Sequence, residues 1–365
     1  MLPFAALALL ALGLAYANGG NDISKGIATL VGSGVTNFGA AVVWGTAWTV
    51  AGGLLAAFAA QGLVATFSGS GFLAKATSGP AFLSAVAAGA MAWVLLASRT
   101  GLPVSTTHAI TGALAGAGIV AHGASSLHWA YLAKRIALPL GVSPVISIAL
   151  IYALFPLLSR SALRAGTYCI CIERRVAISG GALAMSAVSS AVVSTATECG
   201  ESPAVTARVS ALDAFHWISS ALTSFARGLN DTPKIVAVGI AASGVLGVSA
   251  FPFYAAVALA MGAGSLMAGS RVTHTLARRV TEMTPAEGFC ANLVTSLLVG
   301  AASLAALPVS TTHVSSGAII GIGLRRGAMS VCWTTVREML LAWLVTLPAA
   351  AVAAGAVFTL LRLRS

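Results

Sequence analysis

The chain has 365 residues, of which 58% are hydrophobic and 8% charged, against about 25% charged in an ordinary soluble domain. Spread over the whole length as a mean hydropathy of +0.93, this composition excludes a soluble enzyme and requires most of the chain to lie in lipid or against other lipid-embedded helices. The surplus of 20 Lys and Arg over 9 Asp and Glu, a net charge of +11, falls mostly in short polar gaps between apolar segments, where the cytoplasmic-side bias accounts for it; no basic run is interleaved with aromatics as a nucleic-acid groove requires.

In chain order, the apolar start at residues 1–17 ends in Ala15-Tyr16-Ala17, which resembles a signal-peptide cleavage site. No basic region precedes it, and residues 209–226 form an equivalent internal segment, so we read it as a retained helix. Residues 38–60, 80–98, 136–158, 289–307 and 339–361 each approach the ~20 residues that a full crossing needs. The runs 109–121 and 314–324 are too short to span at about 1.5 Å per residue and are expected to be half-helices or re-entrant segments. Between the two sets lies a polar linker, residues 159–208. Its 184–195 run fits a poor membrane segment, a small strand-forming insert or a loop, and four flanking arginines, Arg160, Arg164, Arg174 and Arg175, favour a cytoplasmic insert. The five cysteines, Cys169, Cys171, Cys199, Cys290 and Cys332, contain no Cys-x-x-Cys pair and support neither a disulfide framework nor a zinc site. Cys169-x-Cys171 beside Glu173 is no more than a short-motif hint of metal binding.

The two halves match. Leu-Pro-Val-Ser-Thr-Thr-His occurs at Leu102–His108 and again, unchanged, at Leu307–His313, each copy opening one of the short Gly-rich runs. A second pair, Asn21-Asp22-x-x-Lys25 and Asn230-Asp231-x-x-Lys234, recurs at a similar offset. The sequence therefore divides into repeats at residues 1–158 and 209–365 joined by the linker. The first-half loops carry Lys75, Lys134 and Arg135, and the second-half loops the richer set Arg271, Arg278, Arg279, Arg325, Arg326 and Arg337. If the richer set is cytoplasmic the repeats are inverted, although Arg362 and Arg364 then fall outside, against the rule. The expected fold is all-α and polytopic: an inverted-repeat secondary transporter with broken helices and re-entrant hairpins, multi-pass in the cell (inner) membrane, with its site near the midplane.

Ionisable groups are costly inside a membrane, which makes Asp22 and Asp231 the sharpest candidates. Each is expected at a helix break, where Asn and Asp can cap the half-helix that follows. In the other motif a proline precedes Ser105, Thr106 and Thr107, and again Ser310, Thr311 and Thr312. One hydroxyl is enough for an N-cap; three, with the free first-turn N–H groups and the positive helix end, make an anion pocket. An oxyanion there would be repelled by Asp22 and Asp231 unless cations intervene, so the pair implies bound Na+ or H+, the logic of symport. No organic cofactor is called for. Lys25 and Lys234 lie nearly one turn past the aspartates and can pair with them. His108 and His313, about one turn into their helices, fit an anion donor, a proton shuttle or a neutral ring bonded to a backbone carbonyl.

On these residues the chain resembles the inorganic phosphate transporter family, the phosphate permeases and sodium-phosphate symporters. The matching signatures are Gly-x-Asn-Asp and Pro-Val-Ser-Thr-Thr-His in both halves. The resemblance implies an inverted-repeat carrier with outward-facing termini, commonly a homodimer, moving phosphate with Na+ or H+. It implies that Asn21, Asp22, Asn230, Asp231 and the two Ser-Thr-Thr triplets line the phosphate and cation sites. Two positions depart from the family pattern: Lys25, where Asn is usual, and Asn292, where Glu is common. Both departures reduce the need for bound cations. A sulfate permease of the same fold is the alternative substrate reading. An intramembrane hydrolase using Ser105 or Ser310 with a His lacks a Gly-x-Ser-x-Gly elbow or a His-Glu-x-x-His pair, and a passive channel would need no aspartates.

Overall fold

The computed structural model describes residues 1–68, 71, 73, 79–177, 186–195 and 205–363; Lys75, Cys199, Arg364 and the start of the 184–195 run lie outside them. The chain is mostly helical, and among the described residues seven helical segments are long and apolar enough to cross a membrane. The first half carries α1 (Leu2–Asp22), α2 (Ser24–Gly32), α3 (Phe38–Ala59), α4 (Gln61–Phe67), α5 (Pro80–Thr100), α6 (Thr106–His122) and α7 (Leu138–Ala165). The second carries α8 (Ala211–Val245), α9 (Ala250–Ala268), α10 (Ser270–His274), α11 (Pro285–Leu304), α12 (Thr311–Arg326) and α13 (Trp333–Arg362). The crossings expected near residues 38–60, 80–98, 136–158, 289–307 and 339–361 are α3, α5, α7, α11 and α13. The sequence reading omitted α9, which is also long and apolar enough to cross. Prolines open α5 and α11 at the first turn, where a missing N–H costs nothing.

The halves interlock. First-half α3 packs on second-half α8, α9 on α1, α13 on α6 and α5, and α12 on α7. Glycines make the tightest of these crossings possible. A Cβ on Gly19 would overlap the Met261 carbonyl oxygen, and one on Gly228, at the same place in the other repeat, the Thr49 carbonyl oxygen. The largest apolar cluster runs from Leu7 and Leu14 on α1 through Phe82 and Val86 on α5 and Ile110 on α6 to Ile235 and Val236 on α8.

In the linker, β1 (Tyr168–Ala177) pairs antiparallel with both β2 (Ser186–Thr195) and β3 (Val205–Ser210), in the order β2-β1-β3. This is the strand-forming insert among the three readings of the 184–195 run. Strand alternation buries Cys169 and Cys171 on one face of β1, their Sγ atoms 3.5 Å apart, while Ile170 on the other face is exposed. No group of three metal-ligating residues occurs among the described residues.

One local expectation is corrected. Asn21-Asp22 and Asn230-Asp231 do not cap new half-helices. Ile23, after Asp22, keeps helical dihedrals (φ −55°, ψ −35°), so α1 runs on into α2. Asn230 and Asp231 lie inside α8, a 35-residue helix that runs on through Pro233 to Val245. No backbone break is required because each carboxylate is met by its own Lys one turn on, and each Asn side chain bonds outward to a neighbouring loop or helix.

Candidate functional site

The short helices α6 and α12 start deep in the protein, and their starts meet head to head. Thr107 Oγ1 donates to Val309 O (3.3 Å) and Thr312 Oγ1 donates to Val104 O (2.7 Å). The motif of each repeat thus hydrogen-bonds the backbone of the other, a reciprocal contact characteristic of two-fold relations. The preceding turn is also repeated. Gly101 adopts φ 76° and Ala306, its equivalent, φ 55°; Leu102 N bonds Ala97 O and Leu307 N bonds Ala302 O, both at 2.9 Å, the pattern of a Schellman ending.

Asn21 and Asn230 hold these loops against the aspartate-bearing helices. Asn21 Nδ2 donates to Ser98 Oγ (3.1 Å) and Leu102 O (3.0 Å), and its Oδ1 accepts from Val104 N (3.1 Å). Asn230 Oδ1 accepts from Ser303 Oγ (3.2 Å), and its Nδ2 donates to Val309 O (3.4 Å). Ser98 and Ser303 escaped the sequence reading. The signal was present, because each stands four residues before the repeated Leu-Pro-Val.

The two aspartates come together around Asn18. Its Nδ2 lies 2.9 Å from Asp22 Oδ2, 3.0 Å from Thr106 Oγ1 and 3.3 Å from Asp231 Oδ2. One amide therefore joins a carboxylate from each repeat to a hydroxyl of the first triplet. Each carboxylate also meets a lysine. Lys25 Nζ sits among Asp22 Oδ1 (2.6 Å), Asn21 Oδ1 (2.8 Å) and Asn21 O (2.9 Å). Lys234 Nζ sits among Thr107 Oγ1 (2.8 Å), Val309 O (3.0 Å) and Asp231 Oδ1 (3.2 Å). Arg227, at the position that Asn18 holds in the first repeat, is 1% exposed and stands about one turn before Asp231 on α8. Its Nε, Nη1 and Nη2 have no hydrogen-bond partner among the described residues. Neither Asn18 nor Arg227 was singled out from the sequence.

The remaining candidates take lesser places. Ser105 Oγ accepts from His108 N (3.3 Å) and Ser310 Oγ from His313 N (3.2 Å), so both serines serve as N-caps. Thr311 is buried in the first turn of α12. His108 and His313 face one another with ring centroids 4.8 Å apart, and His313 Nδ1 bonds Leu140 O at 2.9 Å. The two rings line a mostly apolar cavity of about 380 Å³ with Leu140, Trp343 and Leu344, apart from the carboxylates. Asn292 is buried beside α2, its Nδ2 3.5 Å from Gly26 O, and is not hydrogen-bonded to either aspartate.

A multi-pass helical bundle that seals charged side chains and two hydroxyl-rich helix starts in its interior defines a membrane transport protein. The model of the phosphate transporter family matches residues 18–354, and the chain belongs to that family. Its relatives include a probable low-affinity inorganic phosphate transporter of Rhizobium meliloti, 29% identical over 278 residues, covering 74% of this chain and 72% of the relative. The inorganic phosphate transporter 2-1, chloroplastic, of Arabidopsis thaliana is 28% identical over 428 residues, covering 96% of this chain and 70% of the relative. Among solved structures, one described as the sodium-dependent phosphate transporter matches with a TM-score of 0.78 over 100% of both chains at 21% identity; it shares the fold. The family is one of transporters, not of enzymes.

Proposed function

We propose that this protein is a secondary active carrier that moves inorganic phosphate across a cell membrane in symport with Na+ or H+. One observation carries the reading: a carboxylate from each repeat, Asp22 and Asp231, is tied to the same Asn18 amide beside the meeting point of two hydroxyl-bearing helix tips. A carrier that exposes one site alternately to two sides needs such a junction between its repeats, and inverted repeats rocking about it supply alternating access. Helix starts and hydroxyls favour an oxyanion, and carboxylates favour the cation that accompanies it. On this reading Asn21, Asp22, Asn230, Asp231 and the hydroxyls of Thr106, Thr107, Thr311 and Thr312 form the binding region, with Ser105 and Ser310 setting the helix starts.

The test is uptake of radiolabelled phosphate and sulfate into proteoliposomes, with sodium and proton gradients imposed separately. Phosphate is expected to accumulate under at least one gradient and to equilibrate only slowly without one. Gradient-independent flux would make the protein a channel. Sulfate accumulating faster than phosphate would make it a sulfate permease.

A further inference from the structure

The centre of the protein holds more fixed positive charge than negative. Lys25, Lys234 and Arg227 are all buried among the helices with Asp22 and Asp231. Three cations face two carboxylates, leaving one positive charge uncompensated in an interior where an unpaired charge is expensive. The location of that charge is legible from the hydrogen bonds. Each ammonium is enclosed by three oxygens, one of them a carboxylate oxygen. The guanidinium has none among the described residues, although it stands about one turn before Asp231 on the same helix. A buried planar fork of N–H donors without an acceptor marks the place of an oxyanion.

The two oxygen cages have a second meaning. Asn21 O, Asn21 Oδ1 and Asp22 Oδ1 around Lys25 Nζ, and Thr107 Oγ1, Val309 O and Asp231 Oδ1 around Lys234 Nζ, are hard oxygen donors of the kind that bind an alkali cation. In this chain each set already holds a cation attached to the backbone.

We propose that Arg227 is a fixed ligand of the carried oxyanion, and that the Lys25 and Lys234 ammonium groups stand in for coupling sodium ions, so that the site loads a phosphate monoanion without sodium. The inference rests on the phosphate-carrier reading and deepens it by choosing between its two cations: the coupled proton is the one that phosphate itself carries when the dianion is protonated and loaded as the monoanion, so a proton gradient drives accumulation without sodium. It also bears on selectivity. A monoanion cancels the residual charge, whereas sulfate, a dianion near neutral pH, would leave a net negative charge buried.

The experiment uses the full chain in proteoliposomes under an inward proton gradient, with sodium or choline as the external cation. Phosphate uptake is expected to be equal in the two media, with sulfate competing far more weakly than the same concentration of unlabelled phosphate. Strong stimulation by sodium, or competition by sulfate as effective as that by unlabelled phosphate, would overturn the proposal. Lys25→Asn is expected to bring sodium dependence to an uptake that lacked it, and unchanged indifference to sodium in an active Lys25→Asn carrier would count against the tethered cation. Arg227→Gln is expected to weaken phosphate affinity by about tenfold to a hundredfold, the loss of charge-assisted bonds to a buried anion, as read by phosphate-induced thermal shift of purified protein. If that variant is not recovered folded, Arg227→Lys, which keeps the charge and loses the fork, is read in the same way. Undiminished affinity in whichever variant is folded would refute the assignment. Failure of the carrier reading looks different: no gradient-driven phosphate uptake by the wild type in either medium.

Discussion

Asn18 and Arg227 occupy the same place in two copies of one motif, three residues before an Asn-Asp pair and seven before a lysine, yet their side chains do opposite things. Asn18 is a hub whose Nδ2 reaches both carboxylates and Thr106. Arg227 is buried with three nitrogens that find no partner among the described residues. Around them the scaffold is repeated closely: paired Asn clamps, paired Lys–Asp contacts, reciprocal threonine bonds and paired glycine crossings. Duplication supplies the frame, and the one divergent pair at its centre supplies polarity. The first repeat fastens the carboxylates, and the second presents a cation.

Removing the Asn18 hub is expected to have the largest effect. Asn18→Leu keeps the volume roughly and deletes a donor that bridges two carboxylates. Hydrogen bonds to charged groups contribute about 1.5–3 kcal/mol each, so phosphate uptake in proteoliposomes is expected to fall by about tenfold or more. Uptake within twofold of wild type would show that Asn18 is a bystander.

A smaller effect is expected at the two turns that launch the short helices. Gly101 meets its left-handed φ of 76° without cost, whereas Ala306 holds φ 55° with a Cβ in place. Ala306→Gly is therefore expected to stabilise the protein by up to about 1 kcal/mol, read as a rise of a few degrees in Tm. A lowered Tm would mean that packing by the Ala306 methyl group outweighs the backbone strain.

Much of this was legible in the sequence because the duplicated elements are nearly identical. Pro-Val-Ser-Thr-Thr-His and Asn-Asp-x-x-Lys could be aligned by eye, and the long apolar runs between them gave five of the crossings. Asn18 and Arg227 were missed for the opposite reason: an Asn and an Arg do not look like a pair until the motif is extended three residues upstream. The helix break expected at the aspartates rested on the capping preference of Asn and Asp. It failed because Lys25 and Lys234 meet the carboxylates and the loops meet the amides, so side-chain partners replaced the cap. The interlocking of the halves, α3 on α8 and α9 on α1, depends on close glycine crossings that a linear pattern does not announce.

If the two repeats build a single anion site, the number of phosphates bound per chain shows it. Equilibrium binding of radiolabelled phosphate to purified protein is expected to give one site per chain, lost alike in Asp22→Asn and Asp231→Asn while both variants remain folded by size-exclusion chromatography. Two sites per chain, or half the sites surviving in either variant, would contradict it.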